Sequence, residues 1–387
     1  MRIREIREKT ISLGSNIRNA YVDFSTMTAS LVAIETDVIR NGRPVTGYGF
    51  SSPGRYAQGE IIRDRAIRRI MEADITELLD PDTGMLDPVR ANAVMRRGEK
   101  PGGHGDRSVA IGAVDVAMWD LAAKLRELPL AQLYAERFGT GKPRESVWVY
   151  AAGGYYSDGG SPESLASELK SYVDQGFVHV KMKIGGLPLE ADAERVQAGL
   201  TAVDGDGSRL AVDANGRFDF DTAMAYAHML EPFGLLWYEE PGDPLDYALN
   251  AQLAQVYPHA LATGENLFSV QDTRNLLRYG GLRPERDYLQ MDPALSYGPT
   301  EFIRMVEDAE RAGWSRERFI PHGGHQLNLA LAAGLGLGGT ECYPGVFKPI
   351  GGFLDSTPVE DGRVRMADYP GIGVEEKSDL WEHLRTV

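Results

Sequence analysis

The chain is poor in cysteine: Cys342 stands alone, which excludes an internal disulfide, a zinc ribbon and a CxxC redox pair. Any metal must therefore be held by oxygen or imidazole. Long apolar runs are missing too, since no stretch approaches the roughly 18 uninterrupted residues that a membrane span needs. The N-terminal segment alternates charge with isoleucine and lacks the apolar core of a secretory signal, so the expected location is the cytoplasm. Positive charge is scarce: 41 Lys and Arg against 56 Asp and Glu leave a net charge of −15. Such a surface repels phosphate backbones and acidic lipids, so neither nucleic acid nor membrane is an expected partner. No Walker loop, HExxH or GxSxG occurs. Gly334, Gly336 and Gly339 match GxGxxG, but they follow a helical segment and too little chain remains for a dinucleotide-binding domain.

What is present is ordinary globular usage, 43% hydrophobic and 25% charged over 387 residues, enough for two or three domains unless one of them is a large barrel. Residues 1–50 carry alternating stretches, Met1–Ile11, Thr28–Thr36 and Pro44–Phe50, the last following Asn41-Gly42; together they predict a small antiparallel meander. Helical periodicity follows over Gln58–Ala73 and Arg107–Leu125, making residues 1–130 one α+β unit.

From Ser146 short apolar runs alternate with amphipathic segments, the signature of successive βα units. The runs are VWVYA, FVHVKMK, RLAVDA, GLLWYEE, ALATGE, YLQMD and RFIPH. From the second onward they end in Lys183, Asp213, Glu239, Glu265, Asp292 and His322, spaced 30, 26, 26, 27 and 30 positions apart. Seven or eight parallel units most economically close into a barrel over residues 131–350, with chemistry at the C-terminal ends of its strands. The segment 351–387 has no further repeat and is expected to return to the first unit.

Asp213, Glu239 and Glu265 end consecutive strands, so a closed barrel brings three carboxylates to one point. Each alone would be an ordinary strand-end acid; together they repel unless a cation joins them, and an all-oxygen set suits Mg²⁺ better than Zn²⁺. The neighbours Glu239 and Glu240 cannot both face the mouth of a regular strand, and alternation does not say which does. Lys181 and Lys183 share a strand face, so one of them could be a neutral amine near pH 7, the base needed to remove a proton α to a carboxylate. His322 could be oriented by Asp292 on the next strand end. His325 is either a substrate ligand or a helix-start residue, whereas His179 reads as a packed core residue.

In order and spacing, KMK, VDANG, WYEEP, TGEN and IPHGGH resemble the mandelate racemase-like branch of the enolase superfamily. The helix SVAIGAVDVAMWDLAAK is similar to the segment joining cap to barrel there, so the likeness spans essentially the whole chain. It implies an α/β fold, a modified (β/α) TIM-type barrel with an N-terminal α+β capping domain. It implies Asp213, Glu239 and Glu265 as Mg²⁺ ligands, Lys183 as base beside Lys181, and the His322–Asp292 dyad on the opposite face. RNAYVDF, NGRPVTGYGF, EKPGGHGDRS, YAAGGYY, WYEEPGDPLDYAL and AGLGLGG resemble the bacterial D-tartrate dehydratases of that superfamily. Pro241 and Pro293 depart from the pattern without replacing a catalytic group.

The resemblance further implies that the loops Ser15–Asp23 and Ser51–Ala57 close over the mouth. They offer Asn19, Tyr21 and Tyr56, with Lys100 as a cation for a second substrate carboxylate; Asn215, His325 and Glu341 complete the candidate substrate-binding set. The expected reaction is Mg²⁺-dependent dehydration of D-tartrate to oxaloacetate: Lys183 takes the C2 proton, and His322 protonates the departing C3 hydroxyl. The alternative is a racemase or a dehydratase of another acid sugar, an aldonate or aldarate, on the same scaffold. A barrel that binds anions without turnover would have no need for Lys183 and His322 together. Superfamily habit implies a symmetric homo-oligomer.

Overall fold

Alternation of apolar and polar residues at the N-terminus builds an antiparallel sheet of β1 (Ile3–Ser12), β2 (Thr28–Arg40) and β3 (Arg43–Phe50), in the computed structural model that describes residues 1–387. The β2–β3 hairpin turns at Asn41 and Gly42, whose φ angles of 50° and 76° are those a two-residue hairpin requires. A helical stretch over residues 59–72 follows, with Ile62–Ile67 wound as a π-helix.

The helix Asp106–Leu125 is buried without a break from Ser108 to Lys124, because it lies between the cap sheet and the barrel. A helix apolar on every side has no other stable position in water. It approaches β3 so closely that a Cβ on Gly49 would stand 2.3 Å from the Ala113 carbonyl oxygen, and one on Gly47 2.4 Å from that of Ala117. On its other side Gly112 meets the Ala294 carbonyl beyond a barrel strand.

Parallel strands β4 (Ser146–Ala152), β5 (His179–Lys183), β6 (Leu210–Asp213), β7 (Tyr238–Glu239), β8 (Leu261–Thr263) and β9 (Tyr288–Leu289) pair in that order. Amphipathic helices cross between them, among them Pro162–Asp174, Leu189–Ala202 and Pro299–Arg311. The run RFIPH adds a stave by a parallel bridge from Phe319 to Leu289, and Ile320 N donates to Leu289 O at 2.9 Å. Glu341 N donates to Pro321 O at 3.4 Å, and β10 (Thr340–Cys342) pairs in parallel with β4, so hydrogen bonds run all the way round. This last stave is too short to read as an apolar run. The cap and barrel fold expected from the sequence is thus the fold observed.

After the barrel, β11 (Val359–Glu360) and β12 (Arg363–Arg365) form a hairpin whose second strand pairs antiparallel with β4. The helix Ser378–Leu384 then reaches the cap: Trp381 packs edge-on against Tyr48 at 5.3 Å, and Lys9 Nζ donates to Thr386 Oγ1 at 2.9 Å. No helix is long and apolar enough to cross a membrane.

Candidate active site

The register of the staves assembles the site. Lys183 is the Cα partner of Asp213, and Asp213 that of Glu239, so three chemically potent residues stand level on adjacent strands. Glu265 follows β8 by two residues, and oxygens of Asp213, Glu239 and Glu265 lie within 4.8 Å of one another. Glu239 faces inward with Oε1 on Lys181 Nζ at 2.6 Å and Oε2 accepting from Trp237 Nε1 and Gln290 Nε2. Glu240 is buried as well, because its backbone takes a positive φ of 38° that breaks strand alternation. Its two oxygens each accept from Asn266 Nδ2 at 2.9 Å.

The lysines share a face, and each is ion-paired with carboxylates. Lys183 Nζ donates to Asp213, and Lys181 Nζ lies 2.6 Å from Glu239 and 2.9 Å from Glu341. Burial works against both charges, yet the carboxylates beside them prevail and hold both pKa values above the ordinary lysine value. The mutual repulsion from which a neutral amine is expected is outweighed here by the attraction of the acids in the same pocket. Asp213 is held below the usual carboxylate range by the same lysines, against its burial. Glu239 is pushed up to about 7 by burial and by the charge of Asp213.

His322 Nδ1 lies 2.8 Å from Asp292 Oδ2, while Nε2 is 3.0 Å from Tyr343 OH and 3.3 Å from Glu265 Oε2. Burial alone would lower its pKa, but Glu265, Glu341 and Asp292 raise it to about 10. Glu341 accepts from Gly323 N at 2.9 Å, and despite burial the charges of Lys181 and His322 hold it at about 2.

Acids outnumber cations here: the buried Asp213, Glu239, Glu240, Asp292 and Glu341 and the partly buried Glu265 face Lys181, Lys183, His322 and Arg55. Glu265 Oε2 accepts no hydrogen bond. A compact all-oxygen set with surplus negative charge and a free lone pair fits a hard divalent cation.

The cavity above the cluster is small, about 410 Å³ counted with its open mouth. Lys183, Glu265 and His322 line it from the barrel, with Tyr155 and Tyr343; Asn19, Pro53 and Arg55 line it from the cap loops. Of the candidate substrate residues, Asn19 and Asn215 are on this lining. Asn19 Oδ1 is taken up by Tyr21 N and Val22 N, whereas Asn215 Oδ1 is buried and unpartnered. Tyr21 and Tyr56 are 60% and 49% exposed, with their hydroxyls on Gly216 O and near Thr26 Oγ1. Lys100 lines a separate, larger cavity with Arg96, His104 and Arg107. His325 sits at the N-cap of the helix Gln326–Leu335, packed edge-on against Phe50, and burial lowers its pKa to about 4.

Sequence reasoning missed Arg55, Ser52, Asn266 and Tyr343. Arg55 and Ser52 lie inside the loop already assigned to the mouth, so the signal was present in the loop but not in any residue pattern.

Two family models match the chain: "Mandelate racemase / muconate lactonizing enzyme, N-terminal domain" over residues 15–134 and "Enolase C-terminal domain-like" over residues 164–380. An L-talarate/galactarate dehydratase of Salmonella typhimurium is 30% identical over 91% of this chain and 83% of its own length. An arabinonate dehydratase of Saccharolobus solfataricus is 30% identical over 73% of this chain and 74% of its own. Among solved structures, a racemase from Streptomyces coelicolor with bound magnesium superposes with a TM-score of 0.79 at 26% identity, covering 99% of both chains. An L-talarate dehydratase from Polaromonas, complexed with Mg and L-glucarate, gives 0.71 at 29% identity over 91% of this chain and 92% of that one. With both its domains matched and its site built at the strand ends, the chain belongs to the mandelate racemase / muconate lactonizing enzyme branch of the enolase superfamily.

Proposed function

We propose that the protein is a Mg²⁺-dependent acid-sugar dehydratase acting by α-proton removal and loss of a β-hydroxyl. The observation that carries this reading is the pair of proton-transfer groups flanking one small cavity, Lys183 on one stave and His322 near the other side of the ring. Asp213, Glu239 and Glu265 would hold the metal, which when bound supplies Lewis acidity toward the substrate carboxylate. Lys183 Nζ would act as the base in its neutral form, once it is displaced from Asp213 by a cation held there and its own proton has passed to solvent, and it would then take the C2 proton. His322 Nε2 returns a proton to the departing C3 hydroxyl, while Asp292 fixes the ring through Nδ1. Tyr155 and the cap loops restrict water around the reacting carbons.

The relatives named for talarate, galactarate and arabinonate support acid-sugar dehydration in general, and so favour another aldarate or aldonate over tartrate. D-tartrate as the specific substrate rests on the sequence stretches outside the shared motifs. In this reading residues 1–130 cap a barrel of residues 131–350, the segment 351–387 returns to the cap, and the chain works as a homo-oligomer.

The test incubates purified protein and Mg²⁺ separately with D-, L- and meso-tartrate, galactarate, L-talarate and arabinonate, with EDTA controls. Oxaloacetate is trapped as its semicarbazone, and the other products are identified as 2-keto-3-deoxy acids. EDTA-sensitive dehydration of any of these acids supports the reading, and the substrate turned over names the specificity. Racemisation without loss of hydroxyl overturns it.

A further inference from the structure

We infer that Arg55 is the residue that recognises the far carboxylate of the substrate, so that the site selects dicarboxylate acid sugars over monocarboxylates. This rests on the proposed acid-sugar reading and names the substrate class within it.

Three cations line the cavity, Arg55, Lys183 and His322. Lys183 is engaged by Asp213, and His322 by Asp292 and Glu265. Arg55 contacts no carboxylate. Its guanidinium makes two hydrogen bonds, Nη1 to Gly54 O at 2.6 Å and Nη2 to Asn266 Oδ1. Three of its five N–H donors are therefore left for a ligand, and a guanidinium presents such donors as a planar fork that matches a carboxylate.

The guanidinium is also held in place. It lies over the Phe268 ring, 5.5 Å from the centroid, and Asn266 is itself fixed by both oxygens of the buried Glu240. The positive φ of Glu240 sends this second acid of the doublet into the relay Glu240–Asn266–Arg55. Asn266 Nδ2 is also 3.3 Å from Glu265 Oε1, so the relay joins the far-carboxylate group to the acidic cluster that would receive the near end of the substrate. With a divalent cation held by that cluster, a short dianion spanning the cavity would meet positive charge at both ends. Lys100, the cation expected from the sequence for this task, lines the neighbouring cavity instead.

The experiment measures binding as well as turnover. Calorimetry on the Mg²⁺-loaded protein compares D-tartrate and succinate with 2,3,4-trihydroxybutanoate and butanoate, for the parent, Arg55→Gln and Arg55→Lys. The parent is expected to bind the diacids more tightly than the matching monoacids. Arg55→Gln should weaken diacid binding about 10- to 100-fold, the scale of a charge-assisted hydrogen bond, and leave monoacid binding unchanged. Arg55→Lys should restore part of the loss. Thermal melts establish that the variants fold, and steady-state kinetics should place the defect in KM more than in kcat. Equal affinity of the parent for diacids and monoacids, no binding of diacid at all, or a diacid preference that survives Arg55→Gln overturns the inference. A discrimination that depends on Arg55 in a protein that dehydrates none of these acids refutes the proposed reaction and leaves the assignment of Arg55 standing.

Discussion

Ser52, on a loop of the cap, donates to Asp292 Oδ2 at 2.6 Å, the same oxygen that His322 Nδ1 approaches at 2.8 Å. Both residues are fully buried. The hydrogen bond ties the dyad of the barrel to the cap, so removing it loosens the orientation of the imidazole without touching substrate. Ser52→Ala is expected to lower kcat about 3- to 10-fold, less than the full cost of a hydrogen bond to a charged group because His322 keeps its own contact with Asp292, with KM nearly unchanged. Steady-state kinetics on the substrate identified by the panel checks this.

Lys183 and His322 should separate when tested by isotope exchange. Each substitution, Lys183→Ala and His322→Asn, is expected to cut dehydration by about 10²- to 10⁴-fold. In D₂O, His322→Asn should still exchange the C2 proton of the substrate, while Lys183→Ala should not. Proton NMR of recovered substrate reads the difference directly.

Metal binding should appear as stability. A ligand present at 100 times its Kd stabilises the folded state by about 2.7 kcal/mol, so Mg²⁺ should raise Tm in a concentration-dependent way and EDTA should reverse it. Asp213→Asn removes one oxygen donor and should abolish most of that rise, as differential scanning fluorimetry with and without Mg²⁺ would show.

A buried acid far from the cluster sets a pH dependence of folding. Asp115 accepts hydrogen bonds from Asn92 Nδ2, Thr300 N and Thr300 Oγ1, yet burial raises its pKa to about 7. Its folded pKa exceeds the unfolded value of about 3.9, so its contribution is complete below that value and is lost as pH rises toward 7. In that window stability should fall by about 1.4 kcal/mol per pH unit from this group. Urea melts of the parent and Asp115→Asn between pH 5 and 8 should show the slope shrinking in the variant.

Gly49→Ala should destabilise the cap by roughly 1–3 kcal/mol or more, because the added methyl meets backbone at 2.3 Å and not a side chain that can turn away. Chemical denaturation measures it, with Gly42→Ala, where no atom lies within 4 Å, as a contrast governed by φ alone.

The period of the barrel was legible because each stave from β5 on hands its functional group to the loop at its end, so chemistry recurs once per βα unit. The cap meander was legible through Asn41-Gly42, whose backbone preference is local. Three things were not. The protonation of Lys181 and Lys183 depends on Asp213, Glu239 and Glu341, which are remote in sequence and adjacent only in the closed ring. The roles of Tyr21, Tyr56 and Lys100 depend on loop paths, which carry no periodicity, and the structure turns these side chains to solvent or to another cavity. The inward turn of Glu240 follows from one left-handed residue where strand alternation alone would turn it outward.

The cap sheet precedes the barrel in the chain, and the helix that packs on Tyr48, Ser378–Leu384, follows it. At 5–20 residues per second the intervening chain takes on the order of tens of seconds to synthesise. Throughout that interval the Tyr48 ring lacks the Trp381 side chain that packs edge-on against it, while the helix Asp106–Leu125 can already cover the other face of the sheet. The last packing contacts of the cap, Trp381 on Tyr48 and Thr386 on Lys9, are therefore made only after the barrel strands exist.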